Sequence, residues 1–190
     1  IHERLLSANS PVFVCDRRTD GDALGSALAL VDYMKGRGQH VPVHVSEPLP
    51  DQYKGLPHVH HCSHDGSVFH KDVDLVVVFD CSEAEYITEL LAGYDSKPFV
   101  INIDHHSSNT CFGNINWIEP HASSAAELVT LLIVALDIPK LLSEADSRKL
   151  ANVLYAGVIA DTGGFSLPNT TACSLNASAI LLGIGADVGL

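Results

Sequence analysis

The sequence predicts an α/β fold: a parallel β-sheet flanked by helices on both faces, with a helix-rich second half. Three observations carry this reading. The apolar runs PVFVCD, DLVVVFD and PFVINID read as buried strands, and each ends on or runs into an aspartate. Segments of helical spacing alternate with them, the pattern of a parallel sheet. Beyond residue 120 the pattern becomes mainly helical.

PVFVCD (11–16) reads as a short strand. From Asp22 onward, Leu24, Leu28, Val31 and Met34 are spaced for one helical face, and GRG (36–38) supplies a glycine stop. VPVHVS (41–46) alternates like a second strand, and the following EPLPDQYKGLPHVHHCSHDGSVFHKD has no clean period. DLVVVFD (74–80) has the continuous apolar character of a central parallel strand. EAEYITELLAGY (83–94) reads as helix and PFVINID (98–104) as strand. SSAAELVTLLIVAL (123–136) follows a serine N-cap signal. SEADSRKLANVLYAGVIADTG (143–163) opens like a capping box, and a last helix covers about 174–182 before GIGAD. With no internal repeat and no low-complexity linker, residues 1–190 read as one domain.

The composition, 46% hydrophobic and 18% charged, is that of an ordinary soluble globular protein. A formal charge of −12 argues against a surface that coats extended duplex nucleic acid. It leaves room for a small phosphorylated substrate, because bound cations invert the local field. No apolar run reaches the roughly 18–20 residues of a membrane span, and no secretory signal is visible in a chain that opens on Ile1. Five scattered cysteines without a CxxC pair suit reduced thiols and a cytoplasmic location.

Ligands of open parallel sheets bind beyond the carboxyl ends of the strands. That edge collects Asp16 with Asp20 and Asp22 after the first strand, Asp80 in VVVFDCSE, and Asp104 followed by His105 and His106 in INIDHHSSN. Asp161 ends an apolar helix, where negative charge is disfavoured. Singly, such aspartates are ordinary turn and cap residues. Together they repel unless they hold cations, and carboxylates with imidazole suit Mn²⁺ or Mg²⁺. Two cations sharing one carboxylate would activate water and clamp an in-line phosphoryl displacement.

TDGDALGSALAL, VVVFDCSE, INIDHHSSN, ASSAAELV and YAGVIADTGGFSLPNTT resemble, in order, the motifs of the DHH phosphoesterase superfamily, over about residues 12–185. The nearest likeness is to its nanoRNase/pAp-phosphatase (oligoribonuclease) branch. The resemblance implies two Mn²⁺ per site, with Mg²⁺ as the substitute. Asp20 and Asp80 would hold one ion, and Asp22, Asp80, His105 and Asp161 the other. His106 would meet the scissile phosphate or leaving oxygen, and Asp104 would orient an imidazole. Gly25 and Ser26 would offer helix-start amides to a phosphate, and Asn169 would lie on the substrate side. The expected substrates are short oligoribonucleotides, linear dinucleotides or 3′-phosphoadenosine 5′-phosphate. No membrane partner is implied, and there is room for a homodimer.

The chain departs from the family pattern in two places. Where the first motif usually has histidine and proline, this chain has Asp16 and Thr19. Four ligand carboxylates balance two divalent cations; Asp16 as a further ligand makes the site −1, and Arg17 and Arg18 would restore phosphate attraction. Many relatives also carry a C-terminal domain with a glycine-rich histidine motif, and no such motif precedes Leu190. Two alternatives follow: a pyrophosphatase or exopolyphosphatase with the same metals, or a non-catalytic nucleotide sensor. HVHHCSHDGSVFH (58–70) lacks a recognised zinc spacing and reads as an exposed loop. Cys81 and Trp117 read as packing residues.

Overall fold

The computed structural model describes residues 1–92 and 97–189. In chain order they form α1 (His2–Ser7), β1 (Pro11–Cys15), α2 (Gly21–Gly36), β2 (Val43–His44), β3 (Cys62–Ser63), β4 (Leu75–Phe79) and α3 (Ala84–Leu91). There follow β5 (Phe99–Asp104), β6 (Ile115–Ile118), α4 (Ala125–Ala135), α5 (Glu144–Thr162) and α6 (Ala172–Ile184). The expected architecture is borne out. All strand pairings are parallel, in the order β3-β2-β1-β4-β5-β6.

β1 and β4 are buried at every position, so both faces of the sheet are covered. Phe13, Cys15, Leu75, Val77 and Phe79 join the larger core with α2, α4 and α5. Val12, Val14, Val76 and Val78 join a smaller one with Tyr86 and Ile87 of α3. Alternate residues of one strand therefore feed two cores, as side-chain alternation requires.

α2 and α5 pack unusually close, and glycine makes this so. A Cβ on Gly25 would collide with the Val153 carbonyl oxygen, and one on Gly21 would reach 2.7 Å from Ala160 Cβ. On α5, a Cβ on Gly157 would come 2.7 Å from Ala126 Cβ at the start of α4. Gly21, Gly25 and Gly157 thus let three helices meet beneath the carboxyl edge of the sheet.

Several element bounds differ from the sequence expectations. The 41–46 strand contracts to two residues, and its alternation reflects burial more than pairing. β3 and β6 were not expected. β3 has two residues and too little length to leave a pattern, while the strand INWI of β6 is only half-buried and so lacks a continuous apolar run. α3 ends at Leu91; the expected helical positions 93 and 94 lie outside the described residues. Trp117 packs against the larger core and Cys81 is buried in the smaller one. No helix among the described residues is long and apolar enough to cross a membrane.

Candidate metal centre and phosphate site

Strand register assembles the acidic row. Cys15 pairs with Phe79, and Phe79 with Ile103. One residue further on, Asp16, Asp80 and Asp104 therefore lie side by side. Strand order reverses direction between β1 and β4, the switch point at which a crevice opens beyond an open parallel sheet. At Asp80 the backbone turns left-handed (φ 57°), a conformation uncommon outside glycine, asparagine and aspartate, and its amide still donates to Ile103 O at 2.9 Å.

The helices contribute from the other side. Asp20 caps α2, its Oδ1 accepting from the amides of Asp22 (2.9 Å) and Ala23 (3.1 Å). Asp22 is fully buried and accepts from the first two amides of α4, Ala125 (2.6 Å) and Ala126 (2.7 Å). A helix N-terminus is a favourable partner for a carboxylate. Asp161 comes from the last turn of α5, where the close approach of that helix brings it to Asp22.

His105 stands at the centre. Its Nε2 lies 3.3 Å from Asp80 Oδ1, 3.4 Å from Asp161 Oδ2 and 3.9 Å from Asp22 Oδ2. Its Nδ1 meets the Ala122 carbonyl at 3.3 Å, which places the ring proton there and leaves Nε2 with a lone pair among carboxylates. Nε2 of His105 and Oδ1 of Asp80 are buried without a hydrogen-bond partner among the described residues. His106 is tied differently. Its Nδ1 donates to Asp104 Oδ1 at 2.7 Å, and Asp104 also accepts from the amides of His105 (2.7 Å) and His106 (3.1 Å). Asn109 Nδ2 donates to Asp104 Oδ2 at 2.6 Å and to the Cys81 carbonyl at 3.0 Å.

Charges in this crevice are held far from their solution behaviour. Burial pushes Asp80 well above the ordinary carboxylate range, and the charge of Asp20 adds to it. Burial does the same to Asp22, reinforced by Asp80. Asp161 is raised by burial, against a lowering from His105. Asp104 goes the other way: burial opposes its charge, but hydrogen bonds from His106 and Asn109 outweigh that and hold it below its usual value. The same bond to Asp104 raises His106.

Two groups bring ligand atoms within 4.8 Å of one another here: Asp80 with Asp104, His105 and His106, and Asp22 with His105 and Asp161. Asp16 and Asp20 fall outside both groups. Asp16 Oδ2 instead accepts from the Arg18 amide at 3.1 Å. Arg17 is committed to α3, with Nη2 2.6 Å from Glu89 Oε2 and its guanidinium carbon 5.0 Å from the Tyr86 ring centroid. Arg18 makes no ion pair among the described residues, and it lines a cleft of about 350 Å³ with Arg17, Thr19 and 47–50.

One expectation is corrected. Ser26 is fully buried inside α2, so neither its hydroxyl nor its helix-bonded amide is open to a phosphate. Gly25 serves helix packing for the same reason. Asn169 lies beside Asp161 at the candidate centre, donating to its carbonyl (3.0 Å) and lying 3.4 Å from Oδ2, and it also donates to Ser123 O at 3.1 Å. Sequence reasoning missed Asn109 and the Ala125 and Ala126 amides. Asn109 was legible as the close of DHHSSN. The two amides carry no side-chain signal.

Aspartates at strand ends, the His105–His106 pair and an acid from a helix end define a class of fold and site. The chain belongs to the DHH family: residues 11–158 match that family's N-terminal domain. Among curated proteins it is 30% identical over 186 residues to the bifunctional oligoribonuclease and PAP phosphatase NrnA of Thermus thermophilus, covering 97% of this chain and 53% of that one. It is also 30% identical to the cyclic-di-AMP phosphodiesterase PdeA of Listeria monocytogenes, over 97% of this chain and 30% of the relative. An exopolyphosphatase-related protein of Bacteroides fragilis shares the fold with a TM-score of 0.85 at 26% identity, across 98% of this chain and 56% of that one. The chain thus spans about half the length of the NrnA relative and of this structural neighbour.

Proposed function

We propose that this domain hydrolyses phosphoester bonds of short oligoribonucleotides, linear dinucleotides or 3′-phosphoadenosine 5′-phosphate, using two divalent cations, Mn²⁺ or Mg²⁺. The observation that carries the reading is His105: an unpartnered, buried Nε2 facing Asp22, Asp80 and Asp161, with its other nitrogen on a backbone carbonyl. An imidazole oriented from behind and turned toward raised carboxylates is what a metal ligand set needs. Oxygen-rich donors with one imidazole fit Mn²⁺ or Mg²⁺ better than zinc.

In this reading Asp22, Asp80, His105 and Asp161 would hold one cation, and Asp20 and Asp80 would hold the other with Asp16 beside them. Once bound, the ions would supply Lewis acidity and an activated water. The protein's own groups do the rest. Asp104 holds His106 through Nδ1 and raises its proton affinity, which leaves Nε2 as the ring nitrogen that gives a proton to the leaving oxygen. Asn109 fixes Asp104, and Asn169 fixes Asp161. Arg18, at the rim, meets substrate phosphate. A pyrophosphate or polyphosphate substrate is the second reading, favoured by the likeness to the exopolyphosphatase-related protein of Bacteroides fragilis.

The test is Mn²⁺-supported hydrolysis of bis-p-nitrophenyl phosphate, then of a short RNA and of pyrophosphate, beside Asp80→Ala. Turnover of diester and RNA that vanishes in the variant is expected. Pyrophosphate as the better substrate selects the second reading. Two bound Mn²⁺ without turnover of any of the three substrates overturns both and leaves a nucleotide sensor.

A further inference from the structure

A second group of ligating side chains lies outside the proposed centre. The turn between α2 and β3 carries His58, His60 and His61, and one ring nitrogen from each lies within 4.8 Å of the others. What separates this from a run of surface histidines is how two of the rings are held from behind. His58 is buried, and its Nε2 rests 2.6 Å from Oδ1 of Asp32 on α2, itself 1% exposed. His61 Nδ1 meets the Val41 carbonyl at 3.0 Å. The Val41 contact fixes the His61 proton on Nδ1, leaving Nε2 as a lone pair; at His58 the Asp32 carboxylate beside Nε2 favours the proton on that nitrogen, which turns the lone pair of Nδ1 to a ligand. Both ring nitrogens of His58 and both oxygens of Asp32 are buried without an aligned hydrogen bond among the described residues, so the 2.6 Å approach of Nε2 to Oδ1 is a close polar contact and Nδ1 has no hydrogen-bond partner among them at all. A carboxylate or carbonyl behind each imidazole is the usual support of a metal-bound histidine.

We infer that His58, His60 and His61 form a binding site for a zinc-class divalent ion, with Asp32 as the positioning carboxylate and solvent in the fourth place. The donor chemistry differs from the acidic crevice. Three imidazoles suit Zn²⁺, whereas Mg²⁺ and Mn²⁺ favour carboxylates. Tetrahedral zinc with Zn–N of about 2.0–2.1 Å places ligand nitrogens about 3.4 Å apart. Small rotations of the three rings, freest at exposed His60, draw the set in to that spacing, and the same exposure gives the ion its entry. Bound there, the ion ties the turn, whose 3₁₀ segment runs Val59–His61, to α2 through His58 and Asp32.

The experiment adds Zn²⁺ to the full chain in buffer with excess Mg²⁺, counting bound zinc and following histidine ¹⁵N resonances by NMR. The expected result is one more bound zinc in the wild type than in His60→Ala, with shifts at the ring nitrogens of His58, His60 and His61. Asp32→Asn should weaken zinc binding by about 10–100-fold, and zinc should raise the melting temperature of the wild type but not of His60→Ala. His60→Ala should leave phosphodiester hydrolysis unchanged, which keeps this result separate from the acidic crevice. Equal zinc counts in wild type and His60→Ala overturn the inference. So does zinc that shifts His60 while leaving buried His58 unmoved, the mark of a surface adduct.

Discussion

Replacing Gly25 with alanine tests how the fold delivers the site. The added methyl would meet the Val153 carbonyl oxygen, with Val153 C at 3.2 Å and Gly157 Cα at 3.4 Å. These are backbone atoms, so relief requires α5 to move away from α2. Overpacking of this kind costs about 1–3 kcal/mol, and a backbone obstacle puts it at the upper end. Alanine returns about 1 kcal/mol of helix propensity, leaving a net loss of about 2 kcal/mol. For a chain of this size that lowers the melting temperature by about 4–8 °C. Gly183 in α6 is the control, since a Cβ there meets nothing within 4 Å; Gly183→Ala should be neutral or slightly stabilising. Thermal and urea unfolding of both variants measure this. Because the shift separates Asp22 from Asp161, Gly25→Ala should also weaken divalent-ion binding at temperatures where it stays folded. A Gly25→Ala protein as stable as the wild type, or as strong in metal binding, would refute the account of glycine-mediated assembly.

Three further outcomes are expected. Asn109→Ala strips a donor from buried Asp104, which should cost about 1–3 kcal/mol in urea unfolding and reduce turnover about 10–100-fold; unchanged turnover would remove Asn109 from the site. In the metal-free protein the raised pKa values of Asp22 and Asp80 mean that the folded state binds more protons than the unfolded chain above about pH 4. Their contribution to stability therefore falls as pH rises. Raised His106 works in the same sense, adding stability below about pH 6.5, while His44 and His61, lowered by burial, oppose it. The readout is thus the difference between wild type and Asp80→Asn: the variant should gain stability at pH 7 relative to pH 5, and saturating Mn²⁺ should favour the wild type. An equal difference at both pH values would contradict the repulsion. Asp16→His exchanges a hard ligand for a softer one and should raise the ratio of Mn²⁺- to Mg²⁺-supported turnover; a constant ratio would place Asp16 outside the metal centre.

The sequence by itself determined the class of fold and where to look. Continuous apolar runs such as LVVVF can only be buried on both faces, and that demands a parallel sheet with helices on each side. Parallel strands put their carboxyl ends on one edge, so Asp16, Asp80 and Asp104 shared an address before any coordinates. Only the tertiary structure decided which side chains face each other there. Asp16 turned to the Arg18 amide and Arg17 to Glu89, choices set by loop hydrogen bonds and charges on α3 that leave no periodic trace. Gly25 lies in the helix interface and Ser26 is buried within α2, because close helix packing depends on a partner 128 residues from Gly25, at Val153. The histidine run read as a loop for the same reason. Its sequence spacing matched no zinc pattern, and the buried carboxylate behind His58 comes from Asp32, brought there by the fold of α2 against the turn.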